Sequence, residues 1–131
     1  LRGGEGRGVD LAGTGALGLE ALSRGAARCT FVERDRAALE ALRANVEKLA
    51  AEADIRAQSA ENFSGGPYEL ALLDPPYGTG LGQRALARIR LAPGGWASLE
   101  TARDEAVEVE GYEVETERIF GKAKVTLLRA I

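Results

Sequence analysis

A short apolar run, Gly8-Val9-Asp10-Leu11, leads into Gly13-Thr14-Gly15-Ala16-Leu17-Gly18, and that junction leaves few folds open. The spacing is G-x-G-x-x-G. It follows a predicted strand and opens a predicted helix from Thr14 to Ser23 that closes near Gly25. Small residues let the backbone turn tightly there and approach a ligand closely. Glu33 ends the next predicted strand, Cys29 to Glu33, eighteen residues past Gly15. A carboxylate at that strand tip is placed to accept both hydroxyls of a ribose. In open sheets of this kind the ligand crevice lies at the carboxyl ends of the strands.

The alternation continues along the chain. Asp35 is a good helix N-cap, and Leu39, Leu42, Val46 and Leu49 recur behind it at helical spacing. Ile55 to Gln58 reads as a third strand. Glu69 to Leu73 is a fourth, apolar enough to be buried on both faces. Leu81, Leu86 and Ile89 mark a helix that Ala92-Pro93-Gly94-Gly95 should end, and Trp96 to Glu100 is a fifth strand. Tyr112 to Arg118 and Lys124 to Arg129 alternate as a closing pair around Phe120-Gly121-Lys122. The pattern predicts an α/β fold: a doubly wound, mostly parallel seven-stranded sheet with a C-terminal antiparallel pair. Residues 1–131 read as a single domain, long enough to bury roughly two-thirds of its unfolded surface.

Directly after the fourth strand stands Asp74-Pro75-Pro76-Tyr77. Proline fixes φ and disfavours helix in the residue before it, so the strand stops with its acceptors pointing into the crevice. One carboxylate, outward-facing carbonyls and one flat aromatic face make a rigid platform. It suits a planar group that carries an exocyclic amine, such as adenine or guanine.

Composition narrows the chemistry. With no histidine and only Cys29, a zinc site, a Ser-His-Asp triad, a cysteine metal cluster and an internal disulfide are all excluded, and no metal is expected. Carboxylates, backbone groups, hydroxyls and a bound cofactor remain. An apolar share of 45% and a charged share of 28% are those of a soluble globular chain. No run approaches the ~18 apolar residues of a membrane span, and Leu1-Arg2-Gly3-Gly4 is no signal peptide, so a cytoplasmic location is expected. A net charge of −3 argues only mildly against a nucleic-acid partner, because the acids cluster between Glu105 and Glu117.

Asp10 separates two cofactors that the glycine loop would accept. A dinucleotide pyrophosphate wants a helix N-terminus free of nearby anions, and a carboxylate three residues before Gly13 is unfavourable to it. S-adenosylmethionine carries an α-ammonium and no phosphate, so a carboxylate near its methionine end is favourable. Asp10 with the loop favours the methyl donor over NAD.

These residues reach a family. Val9-Asp10-Leu11-Ala12-Gly13-Thr14-Gly15-Ala16-Leu17-Gly18-Leu19-Glu20-Ala21, then Ser23-Arg24-Gly25-Ala26, resembles the bacterial 16S ribosomal RNA guanine-N2 methyltransferase family. Phe31-Val32-Glu33-Arg34-Asp35, Asn45, Leu72-Leu73-Asp74-Pro75-Pro76-Tyr77-Gly78 and Phe120-Gly121-Lys122 match its pattern too. The resemblance implies a class I, Rossmann-like methyltransferase domain. It implies donor binding by Asp10, Ala12, Gly13, Gly15, Ala16, Glu33, Arg34, Ser59 and Ala60, and acceptor chemistry at Asp74, Pro75, Pro76 and Tyr77. The implied partner is 16S rRNA or a small-subunit assembly intermediate, with no membrane and a monomeric enzyme.

Three departures stand out. The family usually has one more residue, often Phe, between Leu11 and Ala12; a methionine missing at that point would also account for a sequence with none. Ser59 occupies the position of the family's usual adenine-side acid. The basic N-terminal segment that serves RNA binding in the family is expected to be lacking before Leu1. The rival readings are a DNA adenine-N6 methyltransferase, which the same platform would serve, an NAD-dependent oxidoreductase, and a non-catalytic scaffold. A DNA enzyme would be expected to carry a target-recognition insertion, and none is visible.

Overall fold

The computed structural model describes residues 6–11, 16–24, 28–49 and 52–131. The chain runs β1 (Arg7–Leu11), α1 (Ala16–Ser23), β2 (Arg28–Glu33), α2 (Arg36–Leu49), β3 (Ala53–Ala57) and a single 3-10 turn (Ala60–Asn62). It continues through β4 (Gly65–Leu73), α3 (Leu81–Arg88), β5 (Ile89–Ala102), β6 (Tyr112–Phe120) and β7 (Ala123–Ala130). Among the described residues seven strands form one sheet in the order β3-β2-β1-β4-β5-β7-β6. β1 to β5 pair in parallel, and β7 inserts antiparallel between β5 and β6. The chain winds outward from β1 to β3, then returns to place β4 on the other side of β1. That reversal opens a crevice at the carboxyl ends of the strands.

The period of two along each strand sorts the core onto two faces. Val9, Leu11, Leu73 and Leu99 share one cluster with Ala85 and Leu86 of α3. Cys29 and Phe31 share the other with Leu22 of α1 and Leu42 of α2. Helices therefore cover both faces. Gly18 permits the close approach of α1: a Cβ there would stand 2.6 Å from the Phe31 ring and 2.9 Å from the Asp10 carboxylate. Asp35 caps α2 as expected, its Oδ2 accepting the Ala38 N–H at 2.9 Å.

The segment after the proline pair departs from expectation. Helical spacing predicts Ile89 in the helix, but α3 stops at Arg88 and Ile89 turns extended to open β5. Ile89 is buried in the same cluster as Leu86, so its spacing fits a helix face, while its backbone pairs with Gly65. Ala92-Pro93-Gly94-Gly95 is likewise no helix-ending loop. It lies inside β5 as a bulge: while β4 advances from Tyr68 to Leu70, β5 advances from Leu91 to Trp96. Proline is tolerated where the ladder is interrupted. Gly94 takes a positive φ of 79°, and a Cβ on Gly95 would press on the Glu69 carbonyl at 3.1 Å. At the end of α2 Leu49 is 42% exposed, so the buried stripe stops short of it. The glycine loop, residues 12–15, and Gly25 lie outside the described residues.

Candidate active site

A cleft of about 570 Å³ opens at the carboxyl ends of β2, β3, β4 and β5. Glu33 and Arg34 border it from β2, Gln58, Ser59, Ala60 and Glu61 from the segment after β3, Asp74 to Tyr77 from the end of β4, and Glu100 from β5. Parallel register explains the convergence, since Leu73 of β4 pairs with Leu99 of β5 and the next residues are Asp74 and Glu100. The lining carries four carboxylates, Glu33, Glu61, Asp74 and Glu100, against one guanidinium, Arg34. Such a site favours a cation over a polyphosphate.

The platform is held from below and from its far end. Pro75 is buried, and α3 rests on it through Gly82, where a Cβ would meet Leu99 at 2.3 Å and Pro75 at 2.9 Å. Thr79 donates its hydroxyl to the Pro76 carbonyl at 2.8 Å and accepts the Leu81 N–H at 3.2 Å, tying the turn to the start of α3. Arg84 donates to the Thr79 carbonyl at 2.7 Å and to Glu61 at 2.9 Å, bridging that turn to the 3-10 segment. Pro76 thus has its carbonyl occupied, whereas Asp74 receives no donor among the described residues.

Tyr77 is 45% exposed and donates its hydroxyl to the Glu100 carboxylate. That bond pushes the phenol up to about 12, so it stays protonated as a donor. Asp74 is raised above the usual carboxylate range, first by partial burial and then by Glu100 beside it. Asp10 lies deeper, 7% exposed, its Oδ2 accepting the Gly18 N–H at 2.8 Å. Burial outweighs that bond and, with Asp74 and Glu33 nearby, pushes Asp10 up to about 6.

Most of the anticipated residues meet here. Glu33 Oε2 accepts the Arg34 N–H at 2.8 Å and the Asp35 N–H at 3.3 Å, which fixes its carboxylate at the strand tip. Ser59 spends its hydroxyl capping the 3-10 turn, accepting the Glu61 N–H at 3.2 Å. Ala60 is buried beside it. Asp10 approaches the cleft from beneath rather than lining it. Ala12, Gly13 and Gly15 fall outside the described residues; Ala16 opens α1 and its side chain falls outside them too. Sequence reasoning missed Glu100, Gln58 and Arg84. Glu100 had a usable signal, because it ends the fifth predicted strand as Asp74 follows the fourth. Among the described residues no three His, Cys, Asp or Glu side chains are grouped to hold a metal ion.

The strand order, the reversed β7 and the crevice beside β1 and β4 define a class I methyltransferase-like α/β fold. The chain belongs to the family described as Conserved hypothetical protein 95, whose model matches residues 3–129. It is 39% identical over 108 residues to Ribosomal RNA small subunit methyltransferase D of Escherichia coli strain K12, covering 79% of this chain and 51% of that one. The protein of the same name in Haemophilus influenzae is 32% identical over 106 residues, covering 72% and 55%. The chain thus spans about half the length of these curated relatives. The crystal structure of the Haemophilus influenzae protein HI0767 superposes with a TM-score of 0.86 at 27% identity, covering 97% of this chain and 88% of that one.

Proposed function

We propose that this domain transfers a methyl group from S-adenosylmethionine to the exocyclic N2 amine of a guanine in small-subunit ribosomal RNA. The observation that carries the reading is Asp74, which receives no donor among the described residues, at the mouth of an acidic cleft beside the exposed Tyr77 ring. The names of the relatives support ribosomal RNA of the small subunit as the acceptor. The family resemblance supports guanine N2.

The cleft fits the donor. Its volume is that of a small-molecule site, and its lining suits a ligand with two positive centres and no phosphate. Glu33 would take the ribose hydroxyls, with Arg34 alongside. Val32, Ala60 and Leu81 supply apolar wall for a flat base. Asp10, beneath the cleft, would take the ammonium end. When bound, S-adenosylmethionine supplies a methyl group on a positively charged sulfur.

The chain's own residues act on the acceptor. An exocyclic amine is a poor nucleophile because its lone pair is delocalised into the ring. Asp74 and the Pro75 carbonyl accept its two N–H bonds, which orients it and favours the positive charge that develops on nitrogen. Tyr77, anchored by Glu100, offers its ring to a base removed from its stack. The amine proton released afterwards has the Asp74 carboxylate beside it, an acceptor strengthened by its raised pKa.

The test is incubation with methyl-labelled donor and either 16S rRNA, small-subunit particles or DNA, followed by nucleoside analysis. Label in N2-methylguanosine from the RNA is the expected result. Label confined to N6-methyladenosine in DNA, or no transfer at all, defeats the reading.

A further inference from the structure

The cross-strand register carries the platform's row outward to the edge of the sheet. Glu100 of β5 pairs with Val125 of β7, and Val125 pairs with Arg118 of β6. In the next row Ala102 pairs with Ala123, and Ala123 with Phe120. Directly opposed residues project from the same face of an antiparallel sheet. Arg118 and Phe120 therefore share the face on which Glu100 holds Tyr77, two strand spacings away, or about 10 Å. Among the described residues Val125, Ala102 and Ala123 lie between them in the register, a low floor.

Phe120 is 59% exposed, the most open aromatic side chain among the described residues. Arg118 and Lys122 stand two residues to either side of it in sequence. The turn after β5 brings Arg103 against the β6–β7 hairpin, its N–H donating to the Lys122 carbonyl at 2.9 Å and its guanidinium to the Gly121 carbonyl at 3.4 Å. Arg103, Arg118 and Lys122 are exposed and form no ion pair among the described residues. Nearby Glu117 projects to the opposite face, where Lys124 binds it at 3.1 Å. In a chain of net charge −3, this tip gathers three cations about an exposed ring at the same end of the sheet as the cleft, with Asp104 exposed in the same turn as Arg103.

We propose that the β6–β7 hairpin tip, through Arg118, Phe120 and Lys122 with Arg103, holds the single-stranded RNA segment that flanks the nucleotide presented to Asp74. The inference rests on the RNA reading above and assigns that substrate's docking surface. Cations meet phosphates, and an exposed ring offers a stacking face to any base. The low floor leaves room for a strand to run from Tyr77 to Phe120.

The experiment uses the full-length protein and a single-stranded oligoribonucleotide from 16S rRNA, with direct binding and methyl transfer both measured. Phe120→Ala should weaken RNA binding about tenfold, within the range for a lost base–aromatic stack. Arg118→Ala and Lys122→Ala should each reduce the slope of log affinity against log salt by about 0.7. The turnover number and donor affinity should stay unchanged. Ile119→Ala, exposed on the opposite face of the same strand, is the control and should leave RNA affinity alone. Wild-type transfer with unaltered RNA affinity in all three hairpin variants overturns the docking surface and leaves the methylation reading standing. RNA binding that the variants lose, without transfer to any RNA by the wild type, keeps the surface and defeats that reading. Equal loss in Ile119→Ala reassigns the effect to hairpin stability and overturns the proposal.

Discussion

Asp74, Glu100 and Tyr77 divide the work of two carboxylates placed side by side. Tyr77 donates to Glu100, and on the proposed function Asp74 is the acceptor facing the cleft. Asp74→Ala is therefore expected to abolish transfer while donor affinity, measured by calorimetry, stays near wild type. Because Asp74 titrates above the ordinary range, the ionised form it needs is gained as pH rises through that raised value. Activity should climb on the acid limb, and Glu100→Gln should move that limb to lower pH by removing the neighbouring charge. An unmoved limb would separate Asp74 from the pH profile. Glu33→Ala should weaken donor binding by about 1.5–3 kcal/mol, the usual worth of hydrogen bonds to a charged group. Unchanged affinity would take Glu33 out of the donor site.

At the scale of elements, glycines set how close the helices come. Gly82→Ala would drive a methyl group into Leu99 and Pro75, lifting α3 from the platform. A loss of about 1–3 kcal/mol in stability is expected from such overpacking, with a fall in transfer that exceeds any fall in donor affinity. Denaturant melts beside kinetics check both parts. The sequence made the element types legible because strand and helix periods differ and because Asp35 and the glycines punctuate them. It failed between Ile89 and Gly95. A buried Ile three residues after Leu86 satisfies a helix face as well as a strand opening, and Pro-Gly-Gly marks a bulge as readily as a loop. In the site, Asp74 and Glu33 were legible from their strand tips. Glu100 required knowing that β5 lies beside β4, and Arg84 required knowing where α3 meets the 3-10 turn; both are facts of tertiary packing.

Taken as a whole, the molecule keeps a buried carboxylate that its folding alone would not select. Asp10 moves from an ordinary 3.8 to about 6, so between those values the folded chain holds a proton that the unfolded chain has lost. Stability from this group is therefore fully present below pH 4, falls as pH rises to 6 and stays low above it, by roughly 3 kcal/mol in all. Asp10→Asn can still accept the Gly18 N–H. It is expected to be more stable than wild type at pH 7, with the difference shrinking towards pH 4 in urea melts, while donor affinity drops. A variant less stable at pH 7 would contradict this. The site itself is assembled from the tips of four strands, two on each side of β1, and the outermost on one side, β5, has β7 as its other neighbour. Glu100 has β4 on one side of its strand, and the other side is closed only by Ala123–Ala130 of β7. Truncation before Ala123 is therefore expected to loosen Glu100 and with it the Tyr77 ring, and denaturant melts of such a chain would register the loss.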